Sequence, residues 1–204
     1  MPATVRDVIA DTLSILRLTL EEGLNDIETT NDDAVFLNNI AFWDVGDNHE
    51  RTVEKNIIMT LVKTEEEYAM KNRPAHRRNA VTGKLEYVNP PVFLNLHVLF
   101  TINTPNYETA LTYLSRVIGF FQHQRVFNEV NAEVPADVSL ETFHFNVSML
   151  SPTLEELNHL WGVLGGKMLP SVLYKFQVQE IVYIPEKPRP APEIEIISVN
   201  EQLY

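Results

Sequence analysis

"VFLNLHVLFTI", residues 92–102, decides how the rest of the chain is read. Leu94, Leu96, Val98, Phe100 and Ile102 recur at every second position, and the positions between them, Phe93, Asn95, His97 and Leu99, are themselves half apolar. Successive strand residues face opposite sides of a sheet, so a segment apolar on both sides predicts a strand covered on both faces. Such a strand sits inside a sheet that helices cover, and its neighbours in sequence have to supply them.

Downstream, Thr104-Pro105 reads as an N-cap followed by a first-turn proline. Tyr107, Leu111, Leu114, Ile118 and Phe121 then step along one helix face. Leu140, Phe143, Phe145, Val147 and Met149 predict a strand over 140–150, with a slip in phase near Thr142. Ser151-Pro152 opens a helix carrying Leu154, Leu157, Leu160, Trp161 and Leu164, and "SVLYKFQVQEIVYI", residues 171–184, alternates again.

Upstream, Thr4 with Asp7 caps a helix bearing Val5, Ile9, Leu13, Leu16 and Leu20, which Gly23 is expected to end. Residues 34–45 and 51–67 read as two strands of a hairpin. Residues 71–91 read as a smaller hairpin turning at Thr82-Gly83 before Pro90-Pro91. The expectation is one α+β domain over 1–184, a mixed, mostly antiparallel sheet packed with about three helices. Residues 185–204 form a proline-rich connector and an extended C-terminal arm. "PEKPRPAP" makes a stiff spacer, and "IEIISV" after it reads as a strand with no partner in its own domain.

Charge divides the chain further. The net charge is −12. Residues 1–70 carry 5 basic and 15 acidic side chains, whereas residues 71–91 carry 5 and 1. An acidic body repels nucleic acid and anionic lipid, so proteins or small molecules are the expected partners. The basic island is read either as a solvated hairpin tip or as a docking site for an acidic surface. With no cysteine, the chain offers no disulfide, thiolate metal site or cysteine nucleophile. The charged N-terminus is unlike a signal peptide and no apolar run is long enough to span a bilayer, so synthesis in the cytosol without direct membrane insertion is expected.

Gly162, Gly165, Gly166 and Lys167 raise the question of a phosphate cradle. Phosphate-binding glycines precede a helix, where free N–H groups meet the anion, but these follow one. The reading is a structural turn: a C-cap at Gly165 and Gly166, ended by Pro170. The histidines at 49, 76, 97, 123, 144 and 159 form no HxxxH or HxxE pair. Asp32-Asp33, Glu65-Glu66-Glu67 and Glu155-Glu156 read as solvated faces or first-turn acids. Ser171 lacks the glycine-flanked elbow of a hydrolase, and Trp161 lies on an apolar helix face. No catalytic, metal or cofactor-binding residue is assigned. An enzyme would need a site assembled from scattered residues such as His97, His144 and Glu180.

"NPPVFLNLHVLFT", "NYETALTYLSRVIGFFQ", "RVF" and "LNHLWGVLGGKMLPSVLYK", in that order and spacing, resemble the N-terminal cap domain of the cap, or tube-terminator, proteins of phage-tail-like contractile injection systems. The resemblance covers roughly residues 4–184. It implies a phage tail-terminator-like fold and a homo-hexameric ring that closes the baseplate-distal end of the inner tube. Its implied partners are the inner-tube protein, the sheath protein and itself, in a particle either released or anchored. It implies no catalytic residues, no cofactor and no nucleic-acid partner. Longer members carry a further C-terminal domain where this sequence has only the short arm, so that domain's role is not carried over. An adaptor that docks effectors or anchors without ending the tube is the alternative. On this reading the expected contact residues are Arg73, Arg77 and Arg78 in the basic island and Ile194, Ile196, Ile197 and Val199 in the arm.

Overall fold

The computed structural model describes residues 8–25, 33–42, 55–67, 76–78, 85–87, 92–138, 143–181 and 189–190. In chain order these form α1 (Val8–Asn25), β1 (Asp33–Leu37), a 3-10 turn (Ile40–Phe42), β2 (Lys55–Glu66), β3 (His76–Arg78), β4 (Leu85–Tyr87), β5 (Val92–Asn103), α2 (Tyr107–His123), β6 (Val126–Asn128), β7 (His144–Leu150), α3 (Leu154–Val163), β8 (Ser171–Ile181) and β9 (Arg189–Pro190). Six strands make one sheet in the order β1-β2-β5-β8-β7-β6, and β3-β4-β9 make a small second sheet. Among the described residues only β1 and β2 run parallel, and every other pair is antiparallel. The three helices and the mixed, mostly antiparallel sheet are those the sequence predicts.

β5 lies between β2 and β8 and is covered on both sides, as its two apolar faces require. Leu96, Val98, Phe100 and Ile102 join α1, α2, β7 and β8 residues in the main core. Leu99 joins Ile40, Ile58 and Trp161 in a smaller core on the opposite face. Aromatic rings fill the main core: Phe121 lies 5.1 Å from Phe100 and 4.6 Å from Tyr174, and Phe127 stacks on Phe145 at 5.1 Å.

Four expectations are corrected. The hairpin of residues 34–45 and 51–67 does not form; β1 pairs in parallel with β2, Val35 opposite Ile57. The Thr60 hydroxyl donates to the Asn38 carbonyl at 2.8 Å and accepts from the Ile40 N–H at 3.1 Å, which turns the chain out of β1 and buries Ile40. Residues 43–45 lie outside the described residues. Second, Gly23 does not end α1, which continues to Asn25.

Third, α2 is capped by Asn106 rather than Thr104: the Asn106 side chain accepts from the N–H groups of Glu108 and Thr109. Its buried face is Ala110, Tyr113, Val117 and Phe121, rotated from the predicted stripe so that Tyr107 and Leu111 are exposed. Fourth, α3 is capped by Thr153 rather than Ser151, in a capping box with Glu156. The small hairpin is present as antiparallel β3 and β4. Its turn at Thr82-Gly83 lies outside the described residues, as do Thr4, Val5, Asp7, Leu140 and the slip at Thr142.

Candidate assembly surfaces

α3 is ten residues long and, among the described residues, covers one half of the sheet face it packs on. Leu99 and Leu173 lie beneath it, with Trp161, Leu160 and Leu164 above. Beyond that core the same face turns polar across four strands. One row runs Ser148, Lys175, His97, Lys63 and the next Asn146, Gln177, Asn95, Glu65, each residue opposite the next in register. A bulge between Leu61 and Lys63 sets this phase, because it shifts Lys63 and Glu65 onto the face that Ile58 and Thr60 share.

The polar rows are tied together. Lys63 Nζ lies 2.9 Å from Glu65 Oε2, and His97 Nε2 lies 3.4 Å from the same oxygen. The Lys63 hydrogen bond and charge hold the Glu65 carboxyl below its ordinary range. Burial, with Lys63 and Lys175 nearby, holds the His97 imidazole below its ordinary value, opposed by Glu65. Glu67 accepts from Asn95 Nδ2 at 3.0 Å and from Gln177 Nε2 at 3.4 Å. Glu65 and Glu67, read from the sequence as part of a solvated cluster, thus lace three strands together. Simple alternation through "LVKTEEE" would put Lys63 and Glu65 on the face of Leu61, so the bulge hides the cluster from the sequence.

The glycine turn is built as a helix C-cap. Gly165 and Gly166 have φ of +108° and +79°, and the Gly166 N–H donates to the Trp161 carbonyl at 2.7 Å, the six-to-one bond of a Schellman ending. The Pro170 carbonyl then accepts from the Ile102 N–H at 3.0 Å, seating the turn against β5.

His97 and His144 are not brought together. His97 faces Lys175 on β8, whereas His144 lies past the Phe145–Val178 pair on the strand beyond. Among the described residues no group of three His, Asp or Glu could hold a metal ion, and no helix is long and apolar enough to cross a membrane. Arg77 and Arg78 stand in β3 opposite Glu86 and Leu85. Arg73, Ile194, Ile196, Ile197 and Val199 lie outside the described residues.

Within the connector, Arg189 and Pro190 pair with Tyr87 and Glu86 as a third strand beside the basic hairpin. The order β3-β4-β9 repeats β2-β5-β8 in the main sheet, and each is the chain neighbour of its counterpart.

Comparison with known proteins places this architecture. Over 98% of its length the chain is similar to a solved structure of an extracellular contractile injection system, described as the PVC sheath/tube terminator in the extended state, with TM-score 0.61 and 16% identity. It is also similar, over 95% of its length, to the tube-terminating cap of the anti-feeding prophage, with TM-score 0.53 and 19% identity. The chain spans 65% and 60% of those proteins. No curated protein matches it. The family model described as the Pvc16 N-terminal domain matches residues 11–193, nearly all of the folded chain, and the protein belongs to that family.

Proposed function

We propose that this protein is a structural cap of a contractile injection system, closing the baseplate-distal end of the inner tube as a hexameric ring and linking tube to sheath. The observation that carries this reading is the fold: the whole chain follows a structure described as a sheath/tube terminator. A terminator needs one face that matches the last ring of the tube, another that offers no growth surface, and heterologous contacts that close around an axis. The polar rows of the main sheet and the basic hairpin are candidates for such contacts. The role is non-catalytic. The protein acts as part of an assembled extracellular particle after synthesis in the cytosol, and its partners are the inner-tube protein, the sheath protein and further copies of itself.

Within this reading Ile194, Ile196, Ile197 and Val199 add as a strand to a neighbouring cap or sheath subunit, and Arg73, Arg77 and Arg78 engage an acidic patch. The test mixes the purified chain with its cognate inner-tube protein and reads mass by light scattering and tube ends by electron microscopy. Rings of six, or tubes blocked at one end, are expected. A persistent monomer that leaves tube length unchanged would overturn the reading in favour of a non-terminating adaptor.

A further inference from the structure

The two flanks of α2 differ. On one, Phe120 meets Gly23 of α1, which packs on β1 at one margin of the main sheet. α2 itself lies over β5 and β8, where Phe121 touches Phe100 and Tyr174. Its other flank therefore faces β7, and it is apolar: Leu114 and Ile118 are half-buried, while Tyr107 is 68% and Leu111 43% exposed. Beside this flank, β7 has an open edge. Met149, opposite Tyr174, is 53% exposed. β6 pairs with His144, Phe145 and Asn146, and the Val147 N–H donates outward to the Arg125 carbonyl at 2.8 Å. Alternate residues of an antiparallel strand direct their N–H and C=O to the same side, so those of Met149 point outward too. Among the described residues no strand pairs with that edge at Ser148–Leu150. An edge beside an apolar helix flank offers both backbone pairing and side-chain contact, the two components by which a sheet takes up an extended peptide.

We infer that this edge and flank receive the segment "IEIISV", residues 194–199, of a second copy of the chain. In an extended strand Ile194 and Ile196 share one side, which suits Leu111, Leu114 and Ile118. Charge matches as well. Residues 191–204 carry Glu193, Glu195 and Glu201 and no base, and Arg125 stands exposed just before β6, near enough to Tyr174 to act on its hydroxyl. The donor is a second copy because of where the chain leaves the sheet. β8 ends at Ile181, opposite Val92, which is about 23 Å along the strand from Tyr174 and its partner Met149. The chain then pairs with β4 at Arg189 and Pro190 before the segment begins. A donor and an acceptor at different places on one chain make a heterologous contact, which propagates from copy to copy around a ring. The inference rests on the cap reading and names the surface that accepts its arm.

The chain has no cysteine, so single cysteines report the contact. Full-length Leu111→Cys and Ile196→Cys chains, their folding verified by circular dichroism, are mixed and oxidised with the cognate inner-tube protein present. A disulfide between the two copies is expected, forming at least about tenfold faster than between Ile196→Cys and a Glu155→Cys control on α3. Adding Met149→Pro to the Leu111→Cys chain removes the outward N–H and should slow the cross-link, whereas Met149→Leu should not. Cross-linking no faster than in the control would overturn the inference. So would a disulfide confined to single copies of the Leu111→Cys/Ile196→Cys double variant, which would make the chain's own arm the occupant. Tube arrest without this cross-link would sink the acceptor site and leave the cap reading standing. Cross-linked copies without tube arrest would do the reverse.

Discussion

Gly23 of α1 lies directly against the Phe120 ring of α2: a Cβ built on Gly23 would fall 2.7 Å from Phe120 Cδ2, inside any tolerable contact. The glycine is there for helix–helix approach. The ring has little room to retreat, since Phe121 lies 5.1 Å and Phe127 6.2 Å from it.

Gly23→Ala is therefore expected to destabilise the fold. Overpacking costs about 1–3 kcal/mol, which outweighs the gain of roughly 1 kcal/mol from replacing a helical glycine. Urea unfolding of Gly23→Ala, Phe120→Leu and the double variant checks this. The second substitution should relieve the first, and additive losses would show that the two residues do not meet.

How far the sequence reached depends on how local each signal was. β5 was legible because both faces of one segment carry its burial. The glycine turn was legible because helix polarity is written in the order of residues. The β1–β2 pairing was not: parallel strands announce themselves through no turn, and the Thr60 bonds that steer the chain join residues 22 and 20 positions apart. Gly23 looked like a stop because its real partner is on another helix. The Thr153 capping box was readable, with Glu156 three residues on, but lay behind the more obvious Ser151-Pro152. The polar half-face was missed because it exists only once four strands are in register.

Trp161 fills the smaller core, 4% exposed, yet its Nε1–H has no hydrogen-bond partner among the described residues. The ring's value there is its apolar bulk, and its donor is a liability. Trp161→Phe should change stability by less than about 1.5 kcal/mol, because removing an unpaired buried donor offsets the lost volume. Trp161→Ala should cost roughly 3–5 kcal/mol through the cavity it leaves. Thermal unfolding of both variants separates packing from hydrogen bonding.

At the end of α3, Gly165 with φ of +108° and Gly166 at +79° occupy backbone conformations that side chains rarely adopt. No neighbouring atom lies within 4 Å of a Cβ built at either position, so the cost is conformational and not steric crowding. Alanine at either should lose about 1–2 kcal/mol, and Gly166→Asn less than Gly166→Val, because asparagine tolerates the left-handed region and a β-branched residue does not. Equal losses for Asn and Val would exclude this account.

The last prediction concerns acid. His97 has a folded value lowered chiefly by burial, so near and below the ordinary imidazole value of about 6.5 the unfolded chain binds the proton more readily than the folded one. Stability therefore falls as pH drops from about 6.5 toward the folded value, and is fully present above it. The Glu65 carboxylate, held low by Lys63, adds a loss at more acid pH, as protonation breaks its bond to Lys63 and removes the charge facing His97. His97→Gln should flatten the first part of this profile and shrink the second, whereas Glu65→Gln should remove the second and deepen the first, because Glu65 opposes the lowering of His97. Urea midpoints measured between about pH 2 and 8 resolve the two windows. A slope below pH 6.5 that survives His97→Gln would place the responsible group outside the polar half-face.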